Sequence, residues 1–170
     1  MSDLHVVLVA PEIHWNTGNA GRTCLAAGAT LHLVRPLGFS LDAKEVRRAG
    51  LDYWERVPLR LWESFEELDR ALPELGEPFF VSPDAERTIW DVSYPDRTVL
   101  LFGSETTGLP AAIRESRRDR LVSVPMKEGA IRSLNLSTAV GIAVYEVLRQ
   151  RRPPSSAPAT RSIAPTRILR

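Results

Sequence analysis

Five short apolar runs alternate with segments of helical period, and this alternation constrains the fold more than any other feature. The runs cover residues 4–9, 30–34, 78–82, 98–102 and 121–124. They are strand-length, and several are bounded by proline. The run 98–102 is apolar on both faces, as strands of a parallel sheet covered by helices are. Between the runs, helices are predicted from Asn16 to a stop at Gly28, over 42–49 with Gly50 as the stop, and from the capping box Ser64-Phe65-Glu66-Glu67 to about Leu72, before Pro73. Another should start at Pro110 and end before Asp119. An extended segment is expected at 57–61. Residues 84–97 read as a loop with Ile89, Trp90, Val92 and Tyr94 tucked beneath it. The expected class is α/β, a mostly parallel sheet flanked by helices.

The last helix opens at Arg132-Ser133-Leu134-Asn135-Leu136-Ser137. Leu136, Ala139, Val140, Ala143, Val144, Val147 and Leu148 then recur at the spacing of one buried face. Asn135 and Ser137 sit where the first backbone N–H groups need acceptors. One cap would suffice, so the surplus polarity is either extra capping or a site built where a loop meets a helix.

In sheets of this kind, ligands bind beyond the carboxyl ends of the strands. The polar or glycine-bearing exits are 16–22, Val81-Ser82, 103–108 and 124–135. Gly103-Ser104-Glu105-Thr106-Thr107-Gly108 has neither the G-x-x-x-x-G-K-[ST] nor the G-x-G-x-x-G pattern, and Glu105 would repel phosphate. A glycine-lined slot with a carboxylate suits a neutral or cationic ligand; a tight turn is the alternative. Arg22 lies on a helix of small residues and is either a site residue or a surface charge. His5, His14 and His32 have no metal-ligand spacing, and no metal is expected. Cys24, the single cysteine, permits no internal disulfide and fits a packed apolar position.

No run approaches the roughly 20 apolar residues of a membrane span, and Ser2-Asp3 precede a strand rather than a signal peptide. These features predict a cytoplasmic protein with no membrane partner. The net charge of +1 hides an asymmetry, because residues 151–170 carry five arginines and no acid while the rest is acidic on balance. One domain is expected over 1–152, followed by a basic Pro/Ser-rich tail over 153–170 that should be disordered.

Three segments together resemble the motifs of the SPOUT RNA methyltransferases. They are Asn16-Thr17-Gly18-Asn19-Ala20-Gly21-Arg22-Thr23-Cys24, Leu101-Phe102-Gly103-Ser104-Glu105-Thr106-Thr107-Gly108-Leu109-Pro110 and Arg132-Ser133-Leu134-Asn135-Leu136-Ser137-Thr138-Ala139-Val140. Arg35-Pro36-Leu37-Gly38-Phe39 and Arg48-Ala49-Gly50-Leu51-Asp52-Tyr53-Trp54 are similar to the short TrmL/YibK subgroup in particular. The resemblance implies a C-terminal deep trefoil knot, a homodimer and S-adenosylmethionine as cofactor, leaving as S-adenosylhomocysteine. It implies methylation of the ribose 2′-hydroxyl of the wobble cytidine or uridine in the anticodon loop of leucine tRNAs, with no DNA partner. By position in the motifs, Val81, Gly103, Val124 and Ser133 should bind the cofactor. Arg22, Asn16, Glu105 and Asn135 should form the catalytic set, with Arg22 handling the substrate hydroxyl. Another tRNA position, ribosomal RNA, or a non-catalytic RNA-binding protein are the alternatives.

Overall fold

The computed structural model describes residues 3–41 and 53–152. The helix expected over 42–49 and the tail after Arg152 lie outside the described residues. Among the described residues six strands are formed: β1 (Leu4–Val9), β2 (Thr30–Val34), β3 (Leu59–Trp62), β4 (Glu77–Val81), β5 (Thr98–Phe102) and β6 (Leu121–Val122). They assemble in the order β3-β2-β1-β5-β4-β6, and every pairing is parallel. The helices are α1 (His14–Ala27), α2 (Phe65–Leu75), α3 (Ala111–Ser116) and α4 (Leu136–Arg151).

Alternation along each strand divides the core into two layers. Val6, Leu8, Leu33, Leu100 and Phe102 face α1 and α4, meeting Ala20, Cys24, Val140 and Val144. Val7, Val9, Phe80, Val99 and Leu101 face the other way, onto Leu68 and Leu72 of α2 and Ile113 of α3. The central strands are therefore buried on both sides, as their continuous apolar sequence requires.

Local signals place several boundaries. Ser64 caps α2, its Oγ accepting from Glu67 N at 3.2 Å. Gly28 ends α1 in the left-handed conformation, φ 69°. Asn135 caps α4, its side chain accepting from the N–H groups of Ser137 and Thr138. Four expectations need correction. Helix α2 continues through Pro73 to Leu75, because Leu72 and Leu75 are both buried and the last turn closes through Gly76 N to Leu72 O at 2.9 Å. Strand β6 is only two residues long, since beyond Val122 the chain turns to bond the 82–97 loop. Trp90 is 65% exposed, while Ile89 and Tyr94 are buried as expected. Asn16 lies inside α1 rather than at its cap; the N-cap is Ile13, without a side-chain bond.

The strand order sets the location of the site. From β1 the chain moves to β2 on one side, and from β5 it moves past β4 to β6 on the other. The loops leaving β1 and β5 therefore diverge and open a crevice at the carboxyl ends of these two adjacent strands.

Candidate active site

Glu105, just beyond β5, reaches across this crevice. Its Oε2 accepts from Glu12 N at 2.8 Å, and its Oε1 accepts from Ile13 N at 3.3 Å and from Asn16 Nδ2 at 2.9 Å. Glu105 thus anchors the two residues that lead into α1 and the Asn16 side chain of its first turn. A negative charge at the positive end of a helix is favourable there. The same bonds pull Asn16 into register with the β5 loop.

The chain of contacts continues. Asn16 Oδ1 accepts from Asn135 Nδ2 at 2.9 Å, and Asn135 Oδ1 accepts from Ser137 N at 2.9 Å and Ser137 Oγ at 2.8 Å. Both ends fix the amide orientations. A carboxylate without a proton only accepts, so Asn16 must turn its NH2 to Glu105. A helix start only donates, so Asn135 must turn its oxygen to α4. The two demands agree at the bond between the asparagines. The result is one polarised relay joining β5, α1 and α4.

The glycine loop is shaped by its own closure. Gly103 and Gly108 are so close that a Cβ on Gly103 would stand 1.9 Å from the Gly108 carbonyl carbon. Mutual backbone bonds at 3.0 and 3.2 Å join Ser104 and Gly108, whose φ is 69°. The positive φ and the close approach both favour glycine.

A cavity of about 510 Å3 opens beside this relay. Val81, Gly103, Val124 and Ser133 all line it, so the four residues expected to bind a cofactor come together from the end of β4, the exit of β5 and the connection between β6 and α4. Asn16, Glu105 and Asn135 line it as well. Arg22 does not. It is exposed further along α1, with its guanidinium carbon 4.9 Å from the centre of the Tyr53 ring.

Two wall residues are not expected at the cavity from the sequence, where Arg114 reads only as one of several basic residues that could meet RNA phosphates. Asp84 and Arg114 meet at 2.7 Å between Nη1 and Oδ2, and the buried Arg114 Nε has no hydrogen-bond partner among the described residues. Asp84 follows the Val81-Ser82 exit and could have been suspected; nothing local marks Arg114. Cys24 and His32 are buried away from the cavity. Burial pushes the Cys24 thiol up to about 12. Burial, helped by His5 and Arg60, holds His32 down to about 3. No group of three or more potential metal ligands occurs among the described residues.

The chain is similar to known RNA methyltransferases. The SpoU rRNA Methylase family model matches residues 3–145. A Bacillus subtilis (strain 168) protein named for tRNA (cytidine(34)-2′-O)-methyltransferase activity is 48% identical over 151 residues, 87% of this chain and 93% of its own length. A solved structure concerned with the 2-OH methylation of C/U34 on tRNA is 45% identical, with TM-score 0.78, covering 87% of this chain and 95% of the other. The SpoU methyltransferase AviRb from Streptomyces viridochromogenes, solved in complex with the cofactor AdoMet, is 28% identical with TM-score 0.74, covering 89% of this chain and 59% of AviRb. From the crevice at the ends of the adjacent strands β1 and β5, the family match and these relatives, it follows that the chain belongs to the SpoU methylase family and is an S-adenosylmethionine-dependent RNA ribose 2′-O-methyltransferase.

Proposed function

We propose that the chain methylates the 2′-hydroxyl of nucleotide 34, the wobble cytidine or uridine, in the anticodon loop of leucine tRNAs, working as a cytoplasmic homodimer. The observation that carries this reading is the Asn135–Asn16–Glu105 relay on the wall of the cavity, in a chain 48% identical to a relative named for tRNA cytidine(34) methylation.

The cavity suits the cofactor. Its volume falls in the span of about 300–1,000 Å3 usual for small-molecule sites. Apolar Val81, Leu109, Val124 and Leu136 alternate around it with the polar backbone of the glycine loop, a surface fit for a purine. Arg114 Nε offers a buried donor for a ligand oxygen. Val81, Gly103, Val124 and Ser133 would hold the cofactor, chiefly through backbone groups. S-adenosylmethionine supplies an electrophilic methyl group on a sulfonium.

The protein's part is alignment and charge. Asn16 and Asn135 have both amide orientations fixed, so the groups they present are pre-organised and need no rearrangement during reaction. Glu105 already accepts three hydrogen bonds, which makes it a positioning residue rather than a base. Arg22 is permanently protonated and cannot take a proton. It would lower the pKa of the ribose hydroxyl and stabilise the developing alkoxide, while a phosphate oxygen of the RNA accepts the proton. A splayed anticodon loop presents such a ribose.

Arg22 does not line its own cavity, which supports assembly with a second copy that brings cation and hydroxyl together. Trp15 on α1 and Ile142 and Tyr145 on α4 offer exposed apolar area for it, with relative exposures of 53%, 38% and 57%. A knotted path for the C-terminal segment is supported by the bonds of Ser123, which follows β6. Its N donates to Arg87 O and its O accepts from Ile89 N, both at 2.8 Å, against the 82–97 loop. The test is transfer of tritiated methyl to total tRNA, followed by mapping of the product. Label at the ribose of nucleotide 34 is expected; label on ribosomal RNA with none on tRNA would overturn the substrate.

A further inference from the structure

We infer that Tyr53 is a positioning residue, holding the Arg22 guanidinium in the orientation that methyl transfer needs. The inference rests on the role proposed above for Arg22. An exposed arginine explores many rotamers, and fixing one of them by itself is entropically costly. Here the guanidinium carbon lies 4.9 Å from the centre of the Tyr53 ring, within the range of a cation–π contact. The ring is a rigid platform. Tyr53 is 9% exposed, and its hydroxyl donates to Gly18 O at 3.0 Å, one turn before Arg22 on the same helix.

The neighbouring residues lock the platform in turn. Trp54 lies so close to Gly21 that a Cβ there would stand 2.8 Å from Trp54 Cζ3. Only a glycine at position 21 therefore lets the 3-10 turn Trp54–Arg56 seat on α1 without a shift. Val57 closes the same contact, with Cγ2 3.5 Å from that Cβ position. Two short segments distant in sequence, Gly18 to Arg22 and Tyr53 to Val57, thus form one unit. On its surface the Arg22 guanidinium is held over the Tyr53 ring.

The experiment compares Tyr53→Phe, Tyr53→Leu and Arg22→Ala in the full-length enzyme. Tyr53→Leu removes the π face and should lower kcat about fivefold with the KM for S-adenosylmethionine little changed, while the loss of a buried ring and its hydrogen bond lowers the thermal midpoint. Tyr53→Phe keeps the face and should restore most of that loss. If the ring merely supported the fold through its hydroxyl, Tyr53→Phe would be as damaged as Tyr53→Leu, and the proposal would be overturned. Wild-type kcat in a folded Tyr53→Leu enzyme, beside an inactive Arg22→Ala, would sink the positioning role and leave the role of Arg22 standing. Wild-type kcat in Arg22→Ala would sink both. The unmutated protein provides a check independent of folding. Its Arg22 δ-protons should show an upfield ring-current shift by NMR, and their absence from the shielded region would refute the contact.

Discussion

Among the described residues, two hydrogen-bonded chains that each join distant elements differ in their relation to the site. The first joins Asn135, Asn16 and Glu105 at the carboxyl ends of β1 and β5. The second joins Trp62, His32 and His5 across β3, β2 and β1. Trp62 Nε1 donates to His32 Nδ1 at 2.9 Å, and His32 Nε2 lies 3.0 Å from His5 Nδ1. Since His32 Nδ1 accepts, the ring proton must sit on Nε2 and be given to His5. Both chains link elements far apart in sequence, and both polarise their members. The difference is access. Asn16, Glu105 and Asn135 line a cavity, whereas His32 is 0% exposed and His5 8%. A polar network does chemistry only where a ligand can meet it, and a sealed one serves the fold.

The largest expected separation between the two is in activity. Glu105→Ala removes the acceptor shared by Glu12 N, Ile13 N and Asn16, so the crevice loses its alignment. Methyl transfer should fall about a hundredfold, against a stability loss of only about 1–3 kcal/mol by urea unfolding. Retained activity would mean that the open relay is structural too.

Acid should act on the sealed chain instead. A protonated His32 would turn an N–H toward the Trp62 donor, and burial holds its folded pKa at about 3, against an ordinary value of 6.5. The unfolded chain therefore takes up the proton first. The contribution of His32 is complete above about pH 6.5 and is lost as pH falls toward 3, at about 1.4 kcal/mol per pH unit. Urea titrations at pH 7 and pH 5 measure this; equal midpoints would refute the sealed-chain reading.

The smallest effect is expected from Trp62→Phe, which removes one donor from the sealed chain. It should cost about 1 kcal/mol of stability, measured by urea unfolding, and leave kcat at the wild-type value. A fall in kcat would show that the two chains are coupled through β1.

Local pattern carried much of this protein. The apolar runs marked β1, β2 and β5 to the residue, because strand burial writes itself into consecutive side chains. Ser64, Gly28 and Asn135 were legible as helix ends because capping is settled within one turn. The motif resemblance also brought Val81, Gly103, Val124 and Ser133 to one cavity. Misreadings arose where a distant partner overrode a local preference. Asn16 had the side chain of a helix cap, but its amide instead bridges Glu105, 89 residues away, and Asn135, 119 residues away. Trp90 had the composition of a core residue, yet its turn is closed by Thr88 and Asp91 and leaves the ring outside.

The sequence by itself thus determined the α/β alternation, most helix ends and several residues of the cavity wall, all properties of near neighbours or of ordered motifs. The tertiary structure alone decided the strand order β3-β2-β1-β5-β4-β6, the relay from Asn135 to Glu105 and the seating of Arg22 on Tyr53. The physical reason is that periodicity and capping record which groups need a partner, while the partner itself is chosen when the layers pack.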